Sequence, residues 1–175
     1  MDWTFEYPIT TARLDLRPHR LDDLDDLVVF HSDPEVTRYI PWPVRTVEQT
    51  REALRIKLDR TAARAIGDWI VLAIEERETG TVIGEVLLKR ESDREGEVGY
   101  VIRPDRQGKG LAGEAVVAMI ELARERFGVD VVHAVIEAPN AASARLLTRL
   151  GFVESGREVD DGVELVHFTL GGGVR

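Results

Sequence analysis

Apolar positions change their period several times along this chain, and the changes divide it into elements. Leu14 and Leu16 alternate with polar neighbours before Pro18, which predicts a strand over residues 12–18. Leu21, Leu24, Leu27 and Val28 then recur at helical spacing, with aspartates early in the run, where the helix dipole favours them. Residues 33–40 predict a short helix with Asp33 ahead of Pro34. Residues 45–65 predict a longer one opening at Thr46, with Gln49 three residues on as its capping-box partner.

The texture then becomes strand-like. "WIVLAIEE" (69–76), "TVIGEVLLK" (81–89) and "EVGYVIRP" (97–104) predict an antiparallel meander, its first turn around Glu78, Thr79 and Gly80. A glycine-rich stretch follows and opens a helix with Leu111, Ala115, Met119 and Leu122 on one face and Gly128 at its end. "VVHAVIE" (131–137) is a buried-type strand, and residues 140–150 predict a short helix stopped by Gly151 and Phe152. Two last strands, near 152–159 and 163–170, meet at the hairpin signal Asp161-Gly162. The tail "GGGVR" is expected to fray. This order predicts an α/β (α+β) fold: one domain over residues 1–175, with a mixed, mostly antiparallel central sheet flanked by helices.

Composition narrows the chemistry. The chain has no cysteine, which excludes disulfides, thiolate metal sites and a cysteine nucleophile. Its four histidines lack H-x-x-x-H spacing, so no metal is expected. A net charge of −9 argues against nucleic acid as a partner and mildly favours a cationic acceptor. No apolar run approaches the ~18 residues of a membrane span. The start "MDWTFEYPIT" has no signal-peptide pattern, so a cytoplasmic location is expected.

The stretch "RPDRQGKGLAGEA" (103–115) carries Gly108, Gly110 and Gly113 as G-x-G-x-x-G, the lettering of a dinucleotide loop. Glu137 stands at a tolerable distance for a ribose contact, but only 38 residues follow it, too few to complete a doubly wound sheet. Four residues also separate the strand from the first glycine, and no G-K-[ST] follows for a Walker loop. Backbone N–H groups at a helix N-terminus still make an anion site, which glycines at 108 and 110 let phosphates approach. Ala112 and Gly113 keep the first turn slim, and Lys109 adds a cation.

Read from Gln107, the segment Q-G-K-G-L-A matches [RQ]-x-x-G-x-[GA] and resembles the acetyl-coenzyme A loop of the GNAT N-acetyltransferase superfamily. "ITTARLDLRPHRLDDLDDL", "SDPEVTRYIPW", "GTVIGEV", "EVGYVIRPDRQGKGLAGEA" and "APNAASARLLTRLGF" are similar, in order and spacing, to landmarks of its RimJ/RimL-type branch. That branch includes acetyltransferases of ribosomal-protein N-termini. The resemblance implies acetyl-CoA as co-substrate and direct transfer to a primary amine, either a protein N-terminal α-amine or a small amine such as an amino acid, polyamine or antibiotic. It also leaves open a non-catalytic module that binds acyl-CoA.

Residue by residue, the resemblance implies that Tyr100, Val101, Ile102 and Arg103 pair with the pantetheine arm. Gln107, Gly108, Lys109, Gly110, Leu111, Ala112 and Gly113 would hold the pyrophosphate. Asn140 is a helix N-cap by position, and the resemblance adds a coenzyme contact. Ser143 stands where relatives protonate the departing thiolate, while the place of a tyrosine acid used by many relatives holds Leu147. Glu97 matches the position of a glutamate base that strips the attacking ammonium of a proton, and Glu85 is a second candidate. Either glutamate can equally be an ordinary strand residue facing solvent. Tyr39, Trp42, Trp69 and Glu85 are candidate acceptor contacts, with Asp160 or Asp161 as an attraction for a cation. Monomer and homodimer are both compatible with these residues.

Overall fold

The computed structural model describes residues 2–171. Its centre is an eight-stranded sheet in the order β2-β3-β5-β6-β7-β8-β10-β9. These strands are β2 (Ile9–Thr10), β3 (Leu14–Arg17), β5 (Trp69–Glu76), β6 (Thr81–Arg90), β7 (Glu95–Ile102), β8 (Val131–Glu137), β9 (Val153–Asp160) and β10 (Val163–Gly171). Two further strands, β1 (Trp3–Thr4) and β4 (Ala62–Ala63), pair with each other. Every pairing is antiparallel except β7 with β8.

The helices are α1 (Leu24–His31), α2 (Pro34–Thr37), α3 (Val47–Lys57), α4 (Leu111–Phe127) and α5 (Ala141–Arg149). Ile70, Leu72, Val86, Leu88, Val98 and Ile102 point to one face of the sheet, where Ala115, Val116 and Met119 of α4 pack with them. The other face is smaller: Ala73, Val82 and Val101 meet Leu27 and Phe30 of α1 and Leu54 of α3. The alternation expected for the meander therefore has a helix layer on each side.

Local chemistry sets the element ends. Thr46 and Gln49 form the expected reciprocal cap at the start of α3. α3 ends at Lys57, however, where the sequence pattern predicts a helix running to residue 65. Ala62 and Ala63 are taken instead into the ladder with Thr4 and Trp3. A two-residue N-terminal strand leaves no periodic signal, so that competing partner was invisible in the sequence. α5 closes as expected, the Gly151 N–H donating to Thr148 O at 3.0 Å and the Phe152 N–H to Leu147 O at 3.0 Å. Of the tail expected to fray, Gly171 ends β10 and residues 172–175 lie outside the described residues.

Candidate acetyl-CoA cleft

The one parallel pairing determines where the sheet opens. β7 and β8 pair only at Glu95–Glu97 against Val131–His133. Past Glu97 the two strands part, and β7 carries on to Ile102 paired with β6 but not with β8. A cleft of about 1130 Å³ occupies the gap and the space above it, near the upper end of ordinary ligand sites. Tyr100, Val101 and Ile102 form its floor, α4 and α5 border it, and Tyr39 and Ile40 close one flank.

Gln107, Gly108, Gly110, Leu111, Ala112 and Gly113 all line this cleft. Gly108 and Gly110 have φ of 73° and 78°, a left-handed backbone that side chains with a Cβ disfavour. α4 has Gly110 as its N-cap, and its first internal bond runs from the Glu114 N–H to Gly110 O at 3.1 Å. The N–H groups of the first turn before it have no partner inside the helix, as at any helix start. They face a cleft that also presents Arg106, Arg145 and Arg149. In a chain of net charge −9, that arrangement suits a polyanionic ligand. Gln107 helps shape the turn, its Nε2 donating to Ile102 O at 3.0 Å.

Arg13 is a contributor to which the sequence reading gave no role. Its Nη1 donates to Lys109 O at 3.0 Å, and its Nε to Glu114 Oε2 at 2.7 Å. Glu114 also accepts from the Arg13 N–H at 2.8 Å and from Thr11 Oγ1 at 2.6 Å. The segment before β3 thus fastens the glycine loop from about a hundred residues away. The only cue was Arg13 in the opening motif "T-x-R-L-x-L-R", which specifies no partner. Lys109 and Arg103 do not line the cleft; Arg103 pairs with Asp105 at 2.7 Å.

On the other border, Asn140 caps α5 by accepting the Ser143 N–H at 3.2 Å, and both residues line the cleft. The Tyr100 hydroxyl is buried and approaches Ser143 without closing a hydrogen bond. Burial raises its pKa above the ordinary phenol value, so it holds its proton at neutral pH. Leu147 is wholly buried in the larger core. The phenol near Ser143 therefore comes from β7, a juxtaposition across 43 residues that no local motif encodes.

Glu97 sits where β7 and β8 part, opposite Lys89 on one side and His133 on the other. It is half-buried and does not line the cleft. Burial pushes its carboxyl pKa up; the Lys89 and His133 charges oppose that, and the Glu91 carboxylate adds to it. Trp69 lies across from Lys89, whose Nζ stands 5.5 Å from the indole centroid, outside the cleft. Asp160 and Asp161 are exposed at the β9–β10 turn and do not line it either.

Glu85 departs most from expectation. It is 1 % exposed rather than facing solvent or substrate. Lys57 Nζ donates to its Oε1 at 2.5 Å, His19 Nε2 lies 3.0 Å from the same oxygen, and His31 Nε2 lies 3.1 Å from Oε2. Desolvation alone would raise its pKa, but Lys57 and the two imidazoles hold it well below the ordinary value. A carboxylate so enclosed cannot reach an incoming amine. It joins β6, α1, α3 and the segment after β3 into one charged hub, with Asp23 beside His19 and Arg17 on Asp23 at 2.7 Å. Among the described residues no group of three His, Cys, Asp or Glu stands in a metal-holding arrangement.

A sheet opened between two parallel strands, with a helix start at the mouth whose free N–H groups suit an anion, is an arrangement fit for an extended phosphate-bearing ligand. Residues 13–153 match the model of the GNAT acetyltransferase domain, and the chain belongs to that family of N-acetyltransferases. It is 31% identical over 147 residues to the uncharacterised N-acetyltransferase p20 of Bacillus licheniformis, covering 83% of this chain and 82% of that one. A 56-residue stretch, 32% of each chain, is 48% identical to an L-methionine sulfoximine/L-methionine sulfone acetyltransferase of Pseudomonas aeruginosa. Among solved structures, RimL, a ribosomal L7/L12 α-N-protein acetyltransferase in complex with coenzyme A, superposes with a TM-score of 0.77. At 17% identity, over 95% of this chain and 98% of that one, the likeness is one of fold.

Proposed function

We propose that the chain moves the acetyl group of acetyl-CoA to a primary amine by direct attack within a ternary complex. The observation that carries this reading is the parting of β7 from β8 beside the glycine loop, which leaves the β8-side backbone edge of Tyr100 and Val101 open to an extended ligand. In this reading the N–H groups of Gly108–Gly113, with Arg106, Arg145 and Arg149, hold the pyrophosphate, and β7 aligns the pantetheine arm.

The amine nitrogen attacks the thioester carbonyl carbon, the C–S bond breaks, and the products are an amide and free coenzyme A. Two protons have to move. The attacking ammonium gives one up towards Glu97, through water, since that carboxylate stands back from the cleft and its raised pKa makes it the better base. The nitrogen sheds the second as the amide forms, and it passes to the departing thiolate through Ser143 and the Tyr100 hydroxyl behind it, so that both residues end protonated as they began. A β7 backbone N–H would stabilise the oxyanion.

The acceptor divides into two classes. The RimJ/RimL-type resemblance and the shared fold with RimL favour a protein N-terminal α-amine. The stretch shared with the methionine sulfoximine acetyltransferase favours a free amino acid. The test is release of coenzyme A thiol from acetyl-CoA across N-terminal peptides, amino acids, polyamines and aminoglycosides, beside Glu97→Gln. The chain has no cysteine to add background. Release in one pool, lost in the variant, supports the reading; coenzyme binding with no release in any pool overturns it in favour of an acyl-CoA-binding module.

A further inference from the structure

The charged hub around Glu85 is not self-contained at its outer end. Trp42, expected as an acceptor contact, and Arg45 do not line the cleft itself; they lie in the segment between α2 and α3 that continues from its flanking residues Tyr39 and Ile40. The Trp42 N–H donates to Ile40 O at 2.8 Å, and the Arg45 N–H to His31 O at 3.0 Å, so this segment is fastened to both the cleft wall and the hub. The Arg45 guanidinium lies over the Trp42 indole at 5.0 Å, and Lys57 Nζ approaches the same ring at 5.8 Å. Trp42 Nε1 and Arg45 Nη1 are buried and donate to nothing among the described residues.

Two buried donors without acceptors at one place are unusual, because each forfeits its water without replacement. Nor does Arg45 share in the ion pairs there. Glu85 is shared among Lys57, His19 and His31, and Asp23 with Glu75 is matched to Arg17 and His19. Arg45 feels the Glu85 charge but has no carboxylate within ion-pair distance among the described residues. Through Glu85 the hub backs onto Val101, its partner in the ladder and part of the cleft floor.

We propose that Arg45 and Trp42 form the recognition site for a carboxylate on the acceptor, so that the substrate is a small amine carrying a carboxylate near its amino group, of the amino-acid type. The inference rests on the acetyl-transfer reading above and selects one of its two acceptor classes. The carboxylate supplies acceptor oxygens to Arg45 Nη1 and Trp42 Nε1, and the amino group is thereby directed towards the thioester above Val101. A peptide N-terminus carries its carboxyl group at the far end and cannot make this pair of bonds. Lys57, His31 and Glu85 are positioning residues, which hold the guanidinium and the indole in place.

The test is kcat/KM with acetyl-CoA for each of the common L-amino acids against its carboxamide, and against peptides beginning with the same residue. Hydrogen bonds to a charged group discriminate on the order of 10- to 100-fold. The expected result is that preference for acids over amides, carried in KM, with loss of it in Arg45→Gln and weakening of it in Trp42→Phe. Both variants keep coenzyme A affinity, which separates the effect from misfolding. Amides or peptides used as well as acids, or a preference that survives Arg45→Gln, overturns the inference while leaving acetyl transfer intact. If no amine of any kind is acetylated, the transfer reading fails instead. Protection of the coenzyme-loaded protein from thermal unfolding by amino acids then decides the carboxylate site. Protection by acids over amides that is lost in Arg45→Gln supports it, and no protection overturns it.

Discussion

Replacing Gly84 by alanine tests whether the width of the cleft is set by how closely β7 lies on β6. Gly84 faces Ile102 across the ladder and follows Ile83, where β6 bulges against β5. A Cβ at residue 84 would stand 2.1 Å from the Val101 carbonyl oxygen and 2.9 Å from Ile102 Cδ1. The nearer atom is backbone, so no rotamer change relieves the clash. β7 must shift by about 1 Å, a displacement that can cost on the order of 100-fold in rate at a reacting centre. On its free side at this point is the cleft rather than β8, so the strand yields into the space where the pantetheine arm would lie. Overpacking of this kind costs ~1–3 kcal/mol in stability, which leaves a folded protein. The expected outcome is a modest fall in Tm, a raised KM for acetyl-CoA and a large loss in kcat/KM, read by thiol release and coenzyme A titration. Gly156→Ala, where a Cβ meets nothing within 4 Å, serves as the control. A folded Gly84→Ala protein with wild-type coenzyme affinity and turnover would refute the argument.

Other perturbations separate the remaining parts. Gly110→Val places a β-branched residue at φ 78° in the anion loop, and coenzyme A binding should be lost in a protein that still unfolds cooperatively. Tyr100→Phe removes an unpartnered buried hydroxyl, so Tm should hold while kcat falls towards the ~10²-fold that a positioned proton donor contributes; an unchanged kcat removes Tyr100 from the relay. With Glu97 as base, kcat rises with pH through a value above the ordinary 4.5, and Glu97→Gln abolishes that limb with a loss of ~10²–10⁴-fold. For stability, the lowered Glu85 pKa makes its contribution full above pH 4.5 and lost progressively as pH falls from there through the lower folded value. The lowered His31 pKa destabilises the fold below 6.5, and the raised His19 pKa gives a contribution present below 6.5 that is lost as pH climbs through the folded value. Urea midpoints should therefore peak near pH 6.5. Glu85→Gln should flatten the profile and cost about 3–5 kcal/mol by leaving buried cations uncompensated, and an unaltered profile counts against the hub.

Legibility in the sequence followed the range of the interactions. The caps of α3 and α5, the meander, the Asp161-Gly162 hairpin and the glycine loop are written within a few residues of themselves, and the structure has each where the periodicity puts it. The false extension of α3 arose because Ala62 and Ala63 answer to Thr4 and Trp3, almost sixty residues earlier. Glu85 makes the same point for the site. In the sequence it is a lone acid among valines and leucines, equally a base, a substrate contact or a surface residue. What decides among these is a lysine and two histidines that α1, α3 and the turn after β3 bring to it from 28 to 66 positions away. A buried carboxylate with three basic partners has no capacity left for an incoming substrate. The neighbouring Arg45, drawn into the same hub but with its Nη1 unpaired among the described residues, is where that capacity remains.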